Sequence, residues 1–169
     1  MSGTRWLTDA EQRVWREFMA AVDMLHGHVE GQLQHEAKMP HAYYEVLVAL
    51  SEAPDRSLRM SELAERCRSS RSRLSHAVAR LEDSGWVRRA SCPTDKRGSF
   101  ASLTADGFAA LEAAAPGHVQ AVREALFDAL TPEQVWQLGE ISAAIRTKLT
   151  PQCAAARAAM EAEDAAART

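Results

Sequence analysis

Cysteine, aromatic rings and long apolar runs are all scarce in this chain, and each scarcity excludes something. The 169 residues hold three cysteines, Cys67, Cys92 and Cys153, scattered, odd in number and with no C-x-x-C pair. That pattern argues against a disulfide framework and for three reduced thiols. Aromatic residues make up only 6% while alanine is abundant, which leans towards helix. The opening "MSGTRWLTDAEQ" has no apolar run, so it is not a signal peptide. No uncharged apolar run approaches the roughly 20 residues that span a bilayer. These absences predict a cytoplasmic protein with no membrane partner. No Ser-His-Asp arrangement, phosphate loop or nucleotide fingerprint is present, so no catalytic residue and no cofactor is expected.

What is there is enough chain for one domain with a real core, and an uneven distribution of charge. The net charge is −3. From Arg66 to Arg97, however, eight arginines and one lysine face only Glu82, Asp83 and Asp95. That stretch carries +6 and the rest of the chain −9. A basic stripe on an acidic body is the footprint of a polyanion binder.

The periodicities place this stripe. Thr8 with Glu11 reads as a capping box, followed by Val14, Phe18, Val22, Leu25, Val29 and Leu33 at helical spacing to about Lys38. Pro40 suits the first turn of a second helix that stops before Pro54. A short extended piece, "SLR" (57–59), leads into a compact helix, "MSELAERC" (60–67). After a tight "RS" connection, "SRSRLSHAVARLEDS" (70–84) is another helix, ended by Gly85. The period then changes. "WVRRAS" (86–91) and "SFASL" (99–103) read as two strands around the turn "CPTDKRG". Thr104 caps a long helix to about Leu130, bent at Pro116. Thr131, Pro132 and Gln134 start the next, to about Leu149, and Thr150-Pro151 opens an Ala-rich tail (150–169). The order, two helices, a short strand, two close helices, a ribbon, then long helices, describes a mainly α protein. Its middle, 57–104, is a winged helix-turn-helix.

On a helix at ~100° per residue, Leu74, Ala77, Val78 and Leu81 share one side of 70–84. Ser72, Ser75, His76, Ala79 and Asp83 lie opposite, with Arg71 on one flank and Arg73 and Arg80 on the other. Small central residues let such a helix sink into a major groove, and arginines on its flanks reach phosphates or guanine edges. Ser70, Ser72, Ser75 and His76 can hydrogen-bond bases or backbone. Arg88 and Arg89 lie on the first ribbon strand, and Asp95, Lys96 and Arg97 near its tip. An arginine at a protruding tip suits the minor groove. Asp95, two residues away, can accept a hydrogen bond from Arg97 and hold it in one rotamer.

The run "MSELAERCRSSRSRLSHAVARLEDSGWVRRASCPTDKRGSFASLTADG" resembles the DNA-binding region of the multiple-antibiotic-resistance regulator (MarR) family. The shared features are Asp95-x-Arg97, then Leu103-Thr104-Ala105-Asp106-Gly107, and the "RLEDSGWVRR" run (80–89). With the flanking helices, the resemblance covers about residues 8–149. It implies a homodimer joined through the N- and C-terminal helices (8–53 and 105–149), a helix 70–84 in each major groove and a wing in each flanking minor groove. A pseudo-palindromic double-stranded operator follows from the two-fold symmetry. The function implied is sequence-specific transcriptional regulation, as a repressor relieved by a small-molecule effector.

Similar regulators bind a small aromatic or phenolic molecule between the helical and DNA-binding lobes. Trp15, Met19, His41, Tyr43, Tyr44 and Phe108 are the candidates to line that crevice. The histidines of "HGHVE" (26–30), with His35, His41 and His118, raise a metal reading. Two helical turns between His28 and His35 is ~10 Å, too far for one zinc, so no metal is expected. Some members sense oxidants through a cysteine in the first helix, which this chain lacks; Cys92, flanked by arginines, is the thiol placed to disturb DNA binding on oxidation. The competing reading is a ligand- or metal-sensing module whose winged domain contacts protein instead of DNA.

Overall fold

The computed structural model describes residues 3–91 and 99–166, with side chains described up to residue 150. Thr8 and Glu11 open α1 (Asp9–Gln32) as reciprocal caps. The Glu11 N–H donates to Thr8 Oγ1 at 3.2 Å, and the Thr8 N–H donates to the Glu11 carboxylate at 2.7 Å. These bonds hold the Glu11 carboxyl below its usual range. The helix then widens into a π-helical turn, Leu33–Ala37, closed by Lys38 in the left-handed region (φ 53). The helical pattern foretold the length of this segment but not its change of pitch. The Met39 N–H donates back to the Leu33 carbonyl at 3.3 Å, and both side chains are buried.

α2 (His41–Ser51) begins one residue after Pro40, and the Glu30 carboxylate of α1 accepts the His41 N–H at 2.9 Å. β1 (Ser57–Arg59), α3 (Met60–Arg66), α4 (Arg71–Asp83), β2 (Val87–Ser91) and β3 (Ser99–Leu103) follow at the expected places. The sheet order is β1-β3-β2, antiparallel throughout. This is a winged helix-turn-helix inside a mainly helical chain. Leu47 and Leu50 from α2, Leu63 from α3, Leu74, Val78 and Leu81 from α4, and Leu58, Val87, Ala101 and Leu103 from the sheet make one core. Leu111 and Ala114 of α5 (Ala105–Ala125) extend it.

A dense joint links α4, the wing and α5. Gly85, at φ 74, ends α4. The Trp86 N–H donates to the Leu81 carbonyl and the Gly85 N–H to the Glu82 carbonyl, each at 2.9 Å, the paired bonds of a Schellman motif. Thr104 then binds this turn from the far side. Its N–H donates to the Trp86 carbonyl at 3.0 Å, and its hydroxyl reaches the Gly85 and Trp86 carbonyls at 2.8 and 3.1 Å. The same Oγ1 accepts the Gly107 N–H at 3.0 Å, capping α5. A Cβ on Gly107 would lie 2.1 Å from the Trp86 carbonyl oxygen. The Leu-Thr-x-x-Gly run is therefore a joint: a cap three residues before the only residue small enough to admit that carbonyl.

The chain divides into two compact units after Ala125. α5 continues through Pro116 but ends at Ala125, short of the expected Leu130, because Leu126 leaves helical geometry (φ −126). In the second unit a short 3₁₀ turn, Phe127–Ala129, precedes α6 (Pro132–Ala166). Thr131 and Gln134 form the expected capping box, at 2.9 and 3.3 Å. α6 runs past the stop expected at Leu149. Among the described residues, no helix is long and apolar enough to cross a membrane.

Candidate nucleic-acid interface

The turn between α3 and α4 is built like the one after α4, with an unexpected residue in it. The Ser69 N–H donates to the Ala64 carbonyl at 3.0 Å and the Arg68 N–H to the Glu65 carbonyl at 3.1 Å. The left-handed position that usually takes glycine holds Arg68 (φ 48). An L-residue there costs roughly 1–2 kcal/mol. Sequence spacing counted Arg68 in the basic stripe but gave no sign of its backbone.

Ser70 caps α4, accepting the Arg73 N–H on its Oγ at 3.3 Å. The inner face is as the periodicity required: Leu74, Val78 and Leu81 are buried. Arg71, Ser72, Arg73, Ser75, His76 and Arg80 are all exposed. No acid occupies the first turn, and two arginines sit where the helix dipole disfavours cations. Arg80 lies 3.7 Å from Asp83, both well exposed.

The sheet register separates two arginines the sequence had grouped. Val87 pairs with Leu103 and Arg89 with Ala101, so Arg89 lies on the same face as buried Val87. There it meets Glu82 of α4, which accepts both the Arg89 backbone N–H, at 2.9 Å, and its Nε–H. Arg88, paired with Ser102, points to the other face and is exposed. On that face the Arg59 guanidinium lies 5.2 Å from the Phe100 ring centroid. Asp95, Lys96, Arg97 and Cys92 fall outside the described residues.

The ligand candidates scatter. Tyr44, buried, stacks on His118 with centroids 4.4 Å apart, and His41 lies 5.7 Å from His118. These three line a recess of about 390 Å³ with Glu45, Val48 and Cys67. Trp15 is 55% exposed on α1, and Phe108 lies under the Arg56 guanidinium at 3.7 Å. Met19 and Tyr43 are half-buried and do not line this recess. His118, which the ligand candidates omitted, joins it from α5. Burial pushes the Cys67 thiol up to about 11, with Glu45 adding to the effect, so it is a neutral thiol. Among the described residues, no three His, Cys, Asp or Glu side chains are arranged to hold a metal ion.

Burial, with the charge of His41 adding to it, holds the His118 imidazole below its ordinary value. The unfolded chain therefore binds a proton that the fold resists. Stability is full above the ordinary histidine value of about 6.5 and falls as the pH drops from there towards the folded value. His118→Gln should flatten that acid limb between pH 7 and 5 in thermal melts, and an unchanged limb would exclude His118 as its source.

Comparison with known proteins adds to this geometry. The sequence profile of the MarR family matches residues 38–98. The transcriptional regulator HosA of Escherichia coli O111:H- is 36% identical over 90 residues, which span 49% of this chain and 65% of that regulator. Two solved structures from Streptomyces coelicolor match over most of their length. Sco3205, a MarR family transcriptional regulator in complex with DNA, is 57% identical with a TM-score of 0.84, covering 86% of this chain and 92% of that one. AbsC, another MarR family transcriptional regulator, is 39% identical with a TM-score of 0.77, covering 92% and 99%.

Proposed function

This chain belongs to the MarR family of transcriptional regulators, and from that premise we propose that it binds a pseudo-palindromic operator as a homodimeric repressor released by a small aromatic effector. One observation carries the reading: α4 buries its apolar side and presents Arg71, Ser72, Arg73, Ser75, His76 and Arg80 to solvent, with no acid in its first turn. Such a helix fits a major groove. The relative solved with DNA supports the same partner here.

The dimer has its own support. Trp6, Val14, Trp15, Phe18 and Val22 are exposed in the N-terminal region, as are Trp136, Ile141, Ile145 and Leu149 on α6. Exposed apolar surface of that extent marks an interface, and a second copy joined through 8–53 and 105–149 would cover it. An effector in the recess beside His41, Tyr44 and His118 would touch α2 and α5 together. It would act by favouring a dimer whose recognition helices are wrongly spaced.

The test is fluorescence anisotropy with duplexes enriched from a random pool, at several salt concentrations, beside sedimentation analysis. Binding should fall linearly in log–log with salt, and the protein should sediment as a dimer. Absence of enrichment, or binding that ignores salt, would overturn the reading. Arg68→Gly adds a finer expectation. Relief of left-handed strain should outweigh glycine's chain entropy and stabilise the fold by roughly 0.5–1 kcal/mol. Loss of the charge should at the same time weaken DNA binding, with the salt slope reduced by about one.

A further inference from the structure

We infer that Glu82 is a positioning residue for DNA recognition, and that its partner Arg89 sets the angle of the wing instead of touching DNA. The inference rests on the DNA-binding reading above. β2 is an edge strand, since the sheet order is β1-β3-β2. Its outward N–H groups would otherwise lack a partner. Glu82, in the last turn of α4, takes the place of a missing strand for one of them: it accepts the Arg89 N–H at 2.9 Å. Its other oxygen accepts the Arg89 Nε–H, so one carboxylate holds both backbone and side chain of the same residue. The pair is half-sheltered, with side chains 28% and 37% exposed.

The backbone around this pair is already pinned. The Schellman turn fixes the Gly85 and Trp86 N–H groups to α4, and Thr104, just after β3, donates to the carbonyls of the same two residues. Glu82 adds a contact further along β2, three residues beyond Trp86. The recognition helix and β2 are thereby held as one body, which fixes the direction in which the wing strand leaves α4. Glu82 and Asp83 are the only acids between Arg66 and Ser91. By charge alone, each weakens binding to any DNA. Positioning predicts the opposite sign for chosen sites: losing Glu82 costs affinity although it removes a repulsive charge.

The experiment compares the full-length wild type with Glu82→Ala, Glu82→Gln, Arg89→Ala and the Glu82→Ala/Arg89→Ala double variant. The probes are the best duplex the wild type enriches from a random pool and a scrambled duplex of equal composition. Glu82→Ala should bind the enriched duplex roughly tenfold more weakly and the scrambled duplex as tightly as wild type or tighter. Glu82→Gln, which keeps an acceptor for the Arg89 N–H, should fall between. Arg89→Ala should lose specific binding with its salt slope unchanged, and the double variant should be no worse than the worse single. A half-exposed pair contributes little to stability, so melting temperatures should move by only about 1–3 °C. Should Glu82→Ala unfold, Glu82→Gln carries the same comparison. Tighter binding of Glu82→Ala to both duplexes would reduce Glu82 to simple repulsion and overturn the inference. So would a salt slope lowered by about one in Arg89→Ala, which marks a lost phosphate contact. If the wild type enriches no duplex, the DNA-binding reading fails and this inference falls with it; if it does, these outcomes judge Glu82 alone.

Discussion

Gly107→Ala is expected to lower the melting temperature by roughly 6–12 °C, the counterpart of about 3 kcal/mol in a chain of this size. The added Cβ would stand 2.1 Å from the Trp86 carbonyl oxygen and 2.9 Å from Leu103 Cδ1. Neither side can yield cheaply. The Trp86 carbonyl accepts the Thr104 N–H, Gly107 is itself tied to Thr104 Oγ1, and Leu103 is buried. Relief therefore has to come from moving the wing away from α5, at the expense of those hydrogen bonds. Gly31→Ala is the control. That position lies in α1 with nothing within 4 Å of an added Cβ, so alanine there should stabilise by up to about 1 kcal/mol. If Gly107→Ala melts with the wild type, the joint is not close-packed as described.

The second large effect is on binding. Arg71→Ala/Arg73→Ala should weaken the enriched duplex by at least about thirtyfold at physiological salt and lower the salt slope by about two. Stability should change little. Both side chains are exposed on the first turn of α4, so their removal should move the melting temperature by no more than about 4 °C. A large loss of binding beside a small change in stability separates a surface made for a polyanion from one that merely holds the fold together. Arg13→Ala/Arg16→Ala, which removes the same charge from α1, should change binding little. Equal losses from both pairs would show that net charge, not α4, attracts DNA.

Much of this was legible in the sequence, because its signals were local. The Thr8–Glu11 box, the glycine after α4, the apolar side of 70–84 and the switch to strand alternation at residue 86 each involve neighbours within a few residues. The bond from Thr104 to Gly107 was half-legible: the cap could be read, but the carbonyl that makes glycine necessary comes from Trp86, 21 residues earlier. Arg89 was grouped with Arg88 because two adjacent arginines were read as one feature, whereas the register puts them on opposite faces. Strand alternation from Val87 already placed Arg89 on the inner face, and Glu82 was the acid within reach. Arg68 could not be found in this way, since nothing in its side chain announces a left-handed backbone. Only some of the crevice candidates come together, for a related reason: an aromatic at helical spacing reveals that it is buried, not what it faces. His41 and Tyr44 share a recess, whereas Phe108 packs under an arginine from a different turn.

The joint at Trp86, Thr104 and Gly107 also marks where such proteins can be recombined. Beside the shared core at Leu111 and Ala114, the wing and recognition helix are tied to α5 through one hydroxyl, two carbonyls and one absent side chain. A cassette running from β1 to β3 could be exchanged for another with different base preferences, provided the recipient keeps threonine and glycine at these spacings and the donor presents its carbonyl to them. Divergence of target sequence can then proceed on α4 while α1, α2 and α5 stay constant.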